Sequence, residues 1–449
     1  MIIRPIAKLF VLFLVSAILA PAVAEAKGIR FIRDAEIENT VRIYATPLFQ
    51  AAGLNPQAVD VYLIDDPSLN AFVTGGQNMF LHTGLLLRAE TPLQVMGVIA
   101  HETGHIVGGH NISRQDEVRN ATAKLIASYV LGVAAALATG QGGAGAAVIS
   151  GGQNVAVASL LAYTRGQEAA ADQAAIRLLE STGNSPRGLM EFFEILGDQE
   201  ALISSRQDPY MRTHPLTQDR ASTLRAAVEA SPIADKPSPQ QLVELHDRMR
   251  AKLLGFLSPK KAFRVYSEND TSVPARYARA IAYHQEAKLE DSLAEIDSLI
   301  EDQPDDPYFR ELKGQILFES GRLAEALPEY EAAASMLPDS ALIRRSLAHV
   351  QIELNDQTLL EPALGHLRFV TQREQRNVSG WRLMATVQGR LGDKGMSTLS
   401  QAEAALAMNR PRDAKGFAKR AMELLPEYSP AWLRAQDIDG LADRLRKDS

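Results

Sequence analysis

Pro304 and Pro338 lie 34 residues apart, and the same shift lays Ala280 on Gly314, Tyr283 on Leu317, Leu289 on Leu323 and Ile296 on Tyr330. A recurrence of that length in helix-forming sequence admits few folds. One helix-turn-helix unit cannot bury its apolar face alone, so successive copies must stack into a solenoid. In the unit ending at Pro338, Gly314, Ala326 and Ala333 are small where paired helices approach, and Tyr330 supplies a ring to fill the groove. Ala414, Ala421 and Pro426 repeat the pattern, whereas the stretch between, with Pro362 inside it and Trp381 after it, departs from the spacing. Residues 271–440 are therefore expected to form an α-solenoid, and the small and aromatic positions are those of a tetratricopeptide repeat.

The rest of the chain is organised differently. Arg4 and Lys8 precede an apolar run from Leu9 to Ala20, and Ala22-Val23-Ala24 offers a small-residue cleavage site, so residues 1–24 read as an export signal. The run has 12 residues, where spanning a bilayer takes about 20. Cysteine is absent, which removes disulfides, thiol nucleophiles and thiolate metal sites, and fits an exported chain in a bacterial periplasm. A net charge of −7 argues against nucleic acid, whose phosphates call for a basic surface. Residues 25–230 mix helical patterns with short alternating strands: Val59 to Ile64 is strand-like, and Ala71-Phe72-Val73 and Asn78 to Leu81 flank Gly75-Gly76 as a hairpin. Residues 231–270 connect this part to the repeats. The expected fold class is mainly α, a zincin-like α+β domain with a small sheet followed by the solenoid.

The chemistry concentrates in His101-Glu102-Thr103-Gly104-His105. On a helix, residues four apart share a face, so both imidazoles can present a nitrogen to one Zn²⁺ at about 2.0–2.1 Å. Thr91 suits an N-cap, Pro92 the first helical position and Gln94 a capping box, while Gly108 and Gly109 mark the end. Glu102 lies about 100° round from His101, close enough to take a proton from an activated water without ligating the metal. A third ligand is needed from another helix, and Glu168 in Glu168-Ala169-Ala170-Ala171-Asp172 fits. The intervening alanines allow tight packing on the first helix. Asp172 would hold the other ring nitrogen of a ligand histidine. His110 sits nine residues after His101, one short of the ten that a third metzincin histidine requires, and reads as a helix-end or surface residue. His82, His246, His284, His349 and His366 have no matching partners.

These motifs, with Asn70-Ala71-Phe72, Gly75-Gly76, Thr83-Gly84-Leu85-Leu86 and Thr213-His214-Pro215 with Arg220, resemble the gluzincin metallopeptidases of the CAAX prenyl protease and HtpX type. The export signal and repeats are most similar to that family's periplasmic branch concerned with outer-membrane β-barrel assembly. The resemblance implies one Zn²⁺ held by His101, His105 and Glu168, with Glu102 as catalytic base. It also implies unfolded or misassembled outer-membrane proteins as clients, and the β-barrel assembly machinery as a partner of the repeats. The competing reading is a periplasmic chaperone or adaptor with the protease latched, and a third is a general envelope-stress protease. His214, held on a turn by Pro215, is expected near the metal, either donating to a tetrahedral oxyanion or occupying the open coordination position as a latch. Arg220 would support that loop or bind substrate, and Asn70, Ala71 and Phe72 would offer an edge strand to an extended substrate. Residues 125–164 lack any charged residue or histidine and are expected to be a lid or a membrane-surface contact rather than plain core.

Overall fold

The computed structural model describes residues 30–74, 77–110, 164–197, 210, 214–215 and 217–447. The expected export signal, Gly75-Gly76, Thr213 and the uncharged segment up to residue 163 lie outside the described residues. No helix among the described residues is long and apolar enough to cross a membrane.

A short strand, β1 (Phe31–Ile32), leads into α1 (Ala35–Ala51), whose N-cap Asp34 accepts from the amides of Glu36 and Ile37. Then come β2 (Asp60–Ile64), β3 (Ala71–Thr74) and β4 (Asn78–His82). The four strands form one sheet in the order β1-β2-β4-β3. The expected hairpin is the antiparallel pair β3/β4, with Val73 opposite Met79, while β2 runs parallel to β4 and antiparallel to β1. Alternation sorts the two faces. Leu63, Ala71, Val73, Met79 and Leu81 enter the core, and Tyr62, Phe72 and Phe80 stack on the outer face with ring centroids 5.0 and 4.9 Å apart.

After α2 (Thr83–Arg88) comes α3 (Pro92–Val107), which is the helix expected from the sequence. Its cap differs in detail. Thr91 occupies the N-cap position without a side-chain bond, and Gln94 Oε1 accepts from the amide of Glu90, one residue further back than a capping box requires. Residues 164–181 form α4, followed by α5 (Arg187–Gly197) and α6 (Gln218–Glu229). Three close approaches pack these helices. A Cβ on Gly104 would lie 3.0 Å from the Cα of Ala171 on α4, one on Gly97 2.7 Å from the Cα of Leu189 on α5, and one on Gly188 2.3 Å from the carbonyl carbon of Leu93. α3 is thus gripped from two sides.

The next helix, α7 (Gln240–Leu257), contributes Met249 and Leu253 to the sheet-side core, and Ala251 and Leu254 to a cluster with Ala262, Ala278 and Ala282. After α8 (Pro259–Val265), helix pairs follow: α9 (Val273–Gln285) with α10 (Leu289–Asp302), α11 (Pro307–Glu319) with α12 (Leu323–Met336), and α13 (Ala341–Glu353) with α14 (Leu360–Arg373). The starts of α9, α11 and α13 step by 34 residues, as the sequence period requires. Gly314 is small for the reason expected, because a Cβ there would meet the Tyr330 ring at 2.9 Å. The irregular stretch has a physical cause: a 3₁₀ turn, Gln357–Leu359, is inserted before α14. It delays the next pair, α15 (Val378–Arg390) and α16 (Lys394–Ala407), after which α17 (Pro411–Leu424) and α18 (Pro430–Lys447) close the array.

Candidate metal centre

The two imidazoles of α3 converge as their spacing requires. His101 Nε2 and His105 Nε2 are 3.1 Å apart, and both residues are buried. From α4, Glu168 brings Oε2 to 3.4 Å from His101 Nε2 and Oε1 to 3.4 Å from His105 Nε2. His214 Nδ1 lies 3.1 Å from both Glu168 oxygens and 3.4 Å from His101 Nε2. One ligand atom from each of these four residues fits within 4.8 Å of all the others. A tetrahedral Zn²⁺ site with bonds of about 2.0–2.1 Å has edges of about 3.3–3.4 Å. The donors match that spacing.

Two further observations test the fit. Burial alone would lower the His101 pKa, yet hydrogen bonds to Asp172 and Glu168 raise it to about 9. His105, buried beside other imidazoles, is pushed well below the usual histidine range. Second, Glu102 is fully buried and neither carboxylate oxygen has a hydrogen-bond partner among the described residues; burial raises its pKa. His214 Nε2 stands 3.5 Å from its Oε1. A buried carboxylate left without a partner is costly unless the site supplies one. The residues present fit a zinc ion and a water.

Asp172 and Arg220 lie against this group. Asp172 Oδ1 is 2.9 Å from His101 Nδ1. Arg220 grips both oxygens of Asp172 at 2.5 and 2.8 Å, places Nη1 3.0 Å from Glu168 Oε2, and donates to the carbonyls of Pro215 and His214 at 3.2 and 3.4 Å. Its guanidinium also lies 4.8 Å from the centre of the Phe193 ring. Ala71 is buried in the core, Phe72 stacks on Phe80, and Asn70 is buried with no hydrogen-bond partner for Oδ1 among the described residues. Among the described residues, β3 has β4 as its strand neighbour and stands at the end of the sheet order.

Two contributors escaped the sequence reading. Tyr210 stacks on His214 at 4.6 Å, and its carbonyl accepts from the His214 amide at 2.8 Å; its placement four residues before His214 was the available signal. His110 is indeed at the helix end, but it is no mere surface residue: its Nδ1 lies 2.8 Å from His105 Nδ1. The Gly108-Gly109 pair that marks the helix stop also turns this ring back.

Residues 32–228 match the model of peptidase family M48. The beta-barrel assembly-enhancing protease of Yersinia pestis is 24% identical over 395 residues, covering 86% of this chain and 78% of the relative. That of Escherichia coli K12 is 24% identical over 351 residues, covering 76% and 70%. The metalloprotease LoiP of Escherichia coli K12 is 30% identical over 185 residues, covering 40% and 67%. A buried donor set that can hold one cation, within the residues that the family model matches, makes this chain a zinc-dependent metallopeptidase and a member of peptidase family M48.

Proposed function

We propose that the chain is a periplasmic zinc endopeptidase in quality control and assembly of outer-membrane β-barrel proteins, its peptidase domain at residues 25–230 joined through residues 231–270 to a tetratricopeptide array at 271–440. The carrying observation is the convergence of His101, His105 and Glu168 beside the Glu102 carboxylate, which has no hydrogen bond among the described residues. The relatives named beta-barrel assembly-enhancing protease supply the substrate class, and the helix pairs supply a surface for recruiting unfolded or misassembled clients and the assembly machinery.

His101, His105 and Glu168 would hold the zinc, which when bound supplies Lewis acidity and lowers the pKa of water from about 15.7 toward about 7. Glu102 accepts the proton of the attacking water on a carboxylate oxygen and later delivers it to the leaving amine nitrogen, so water is added across the peptide bond. Asp172 keeps the His101 proton on Nδ1 and leaves Nε2 free to bind. Arg220 holds Asp172 and the His214-Pro215 carbonyls in one frame. Between the two roles for His214, the position of Nδ1 among the ligand atoms supports the latch: with zinc bound the ring would be a fourth donor and would have to move aside for substrate. Asn70, Ala71 and Phe72 are assigned to an edge that pairs with extended substrate.

The same latch favours the second reading, an adaptor or chaperone whose protease stays closed. Metal analysis of the purified chain, with cleavage of an unfolded outer-membrane protein by wild type, Glu102→Gln and His214→Ala, separates them. The proposal expects one zinc per chain, loss of cleavage in Glu102→Gln and a gain in His214→Ala. Full cellular function of Glu102→Gln would favour the adaptor, and lower activity of His214→Ala would assign that ring to the oxyanion. Crosslinking through the repeats tests for a general envelope-stress protease.

A further inference from the structure

We infer that His110 is a positioning residue for the metal centre, fixing the ring orientation and tautomer of His105; the inference rests on the ligand set proposed above. His105 Nε2 faces the other ligand atoms, 3.1 Å from His101 Nε2 and 3.4 Å from Glu168 Oε1, so a bound cation needs the lone pair on that nitrogen. The ring proton then sits on Nδ1, whose neighbour is His110 Nδ1 at 2.8 Å, and His110 is the acceptor. The two α3 imidazoles are thus held differently. His101 leans on a carboxylate and His105 on a second imidazole.

The local chain is built for this contact. α3 ends at Gly108, and Gly109 takes a left-handed φ of +62°, which reverses the backbone and folds residue 110 over the last turn. The folded-back ring leaves no room for a side chain at 108, where a Cβ would stand 2.3 Å from His110 Nε2 and 2.7 Å from two ring carbons. From the other metal-binding helix, Gln167 Nε2 donates to the His110 carbonyl at 3.3 Å, one residue before Glu168. His110 therefore touches both helices that carry the ligands.

The test is zinc affinity of the full-length chain, measured by competition with a chromophoric chelator, beside the melting temperature of the zinc-free protein. His110→Phe keeps a ring and removes the acceptor. It is expected to weaken zinc binding roughly 10–100-fold with the zinc-free melting temperature unchanged. His110→Asn, whose side-chain oxygen can accept from Nδ1, should recover most of the loss. Gly108→Ala leaves every donor and acceptor in place but pushes the ring aside, and should weaken zinc binding in the same direction. Wild-type affinity in His110→Phe overturns the inference. So does a fall in zinc-free melting temperature that His110→Asn fails to recover, which would mark plain helix-end packing. His105→Ala is the control: if it binds zinc like wild type, the ligand set itself is wrong, and that failure is distinct from a failure at residue 110.

Discussion

Arg220 shows how one side chain can hold a site it does not act in. Burial works against charge on Asp172, yet hydrogen bonds from Arg220 and His101 keep its carboxyl below the ordinary range, and Arg220 is 8% exposed. Removing one partner of such a pair leaves the other charged and buried, at a cost of about 3–5 kcal/mol. Arg220→Ala should lose about that much in urea unfolding, and Arg220→Ala combined with Asp172→Asn should lose less than the single change. Arg220→Lys falls between, because an ammonium cannot reproduce the two-pronged contact. Glu102→Gln behaves differently: it removes a general base worth about 10²–10⁴ in rate while zinc content and melting temperature hold. The sequence carried the convergence of His101 and His105 because four-residue spacing on a helix is a geometric statement. It did not carry the Asp172–Arg220 pair, whose members are 48 residues apart, nor His110, which reaches His105 through a glycine turn rather than along a helix face.

At the scale of elements, the site depends on how closely α3 and α4 cross. The alanines between Glu168 and Asp172 announced close packing in the sequence, and the crossing lies where Gly104 meets Ala171, with the Ala174 Cβ 3.1 Å from any Cβ at 104. Gly104→Val places branched carbon against the backbone of α4, which has no freedom to turn aside. Overpacking of this kind costs about 1–3 kcal/mol. Here it also parts His101 and His105 from Glu168. The variant should therefore lose zinc affinity as well as melting temperature. Gly97→Ala, which presses on α5 instead, should lose melting temperature with a smaller effect on zinc. A propensity gain of about 1 kcal/mol for alanine over glycine in a helix works against the loss in Gly97→Ala, and valine gains less than that at residue 104. Strand existence was equally legible through alternation, and so was the β3/β4 hairpin through its glycines. The parallel pairing of β2 with β4 was not, since alternation assigns a face and leaves the neighbour open.

Across the whole molecule, the peptidase part and the helix pairs meet at a buried cluster of charges that no sequence pattern marks. Lys252 on α7 places Nζ 2.8 Å from Asp34, 3.3 Å from Glu36 and 3.8 Å from Glu311 on α11. Arg248, one turn earlier, binds Glu36 at 2.7 Å and Asp306 at 2.5 Å, and Tyr277 on α9 donates to Glu36 at 2.6 Å. Three carboxylates thus share one lysine, and Glu311 is the farthest from it. Its Oε2 is buried without a hydrogen bond, and burial raises its pKa from 4.5 to about 7, with Lys252 and Arg345 opposing the rise and Asp34 and Glu36 adding to it. The folded state therefore binds a proton at Glu311 that the unfolded chain has already released between about pH 4.5 and 7. Over that window the Glu311 contribution to stability falls as pH rises, and above it the deficit is constant. Glu311→Gln removes the charge while Lys252 keeps Asp34 and Glu36. The variant should match wild type near pH 5 and exceed it at pH 8 by on the order of 2 kcal/mol, measured as unfolding free energy at the two pH values. A wild-type advantage at pH 8 would mean that Lys252 needs its third carboxylate, and that the joint between the two parts is held by attraction rather than merely tolerating excess negative charge.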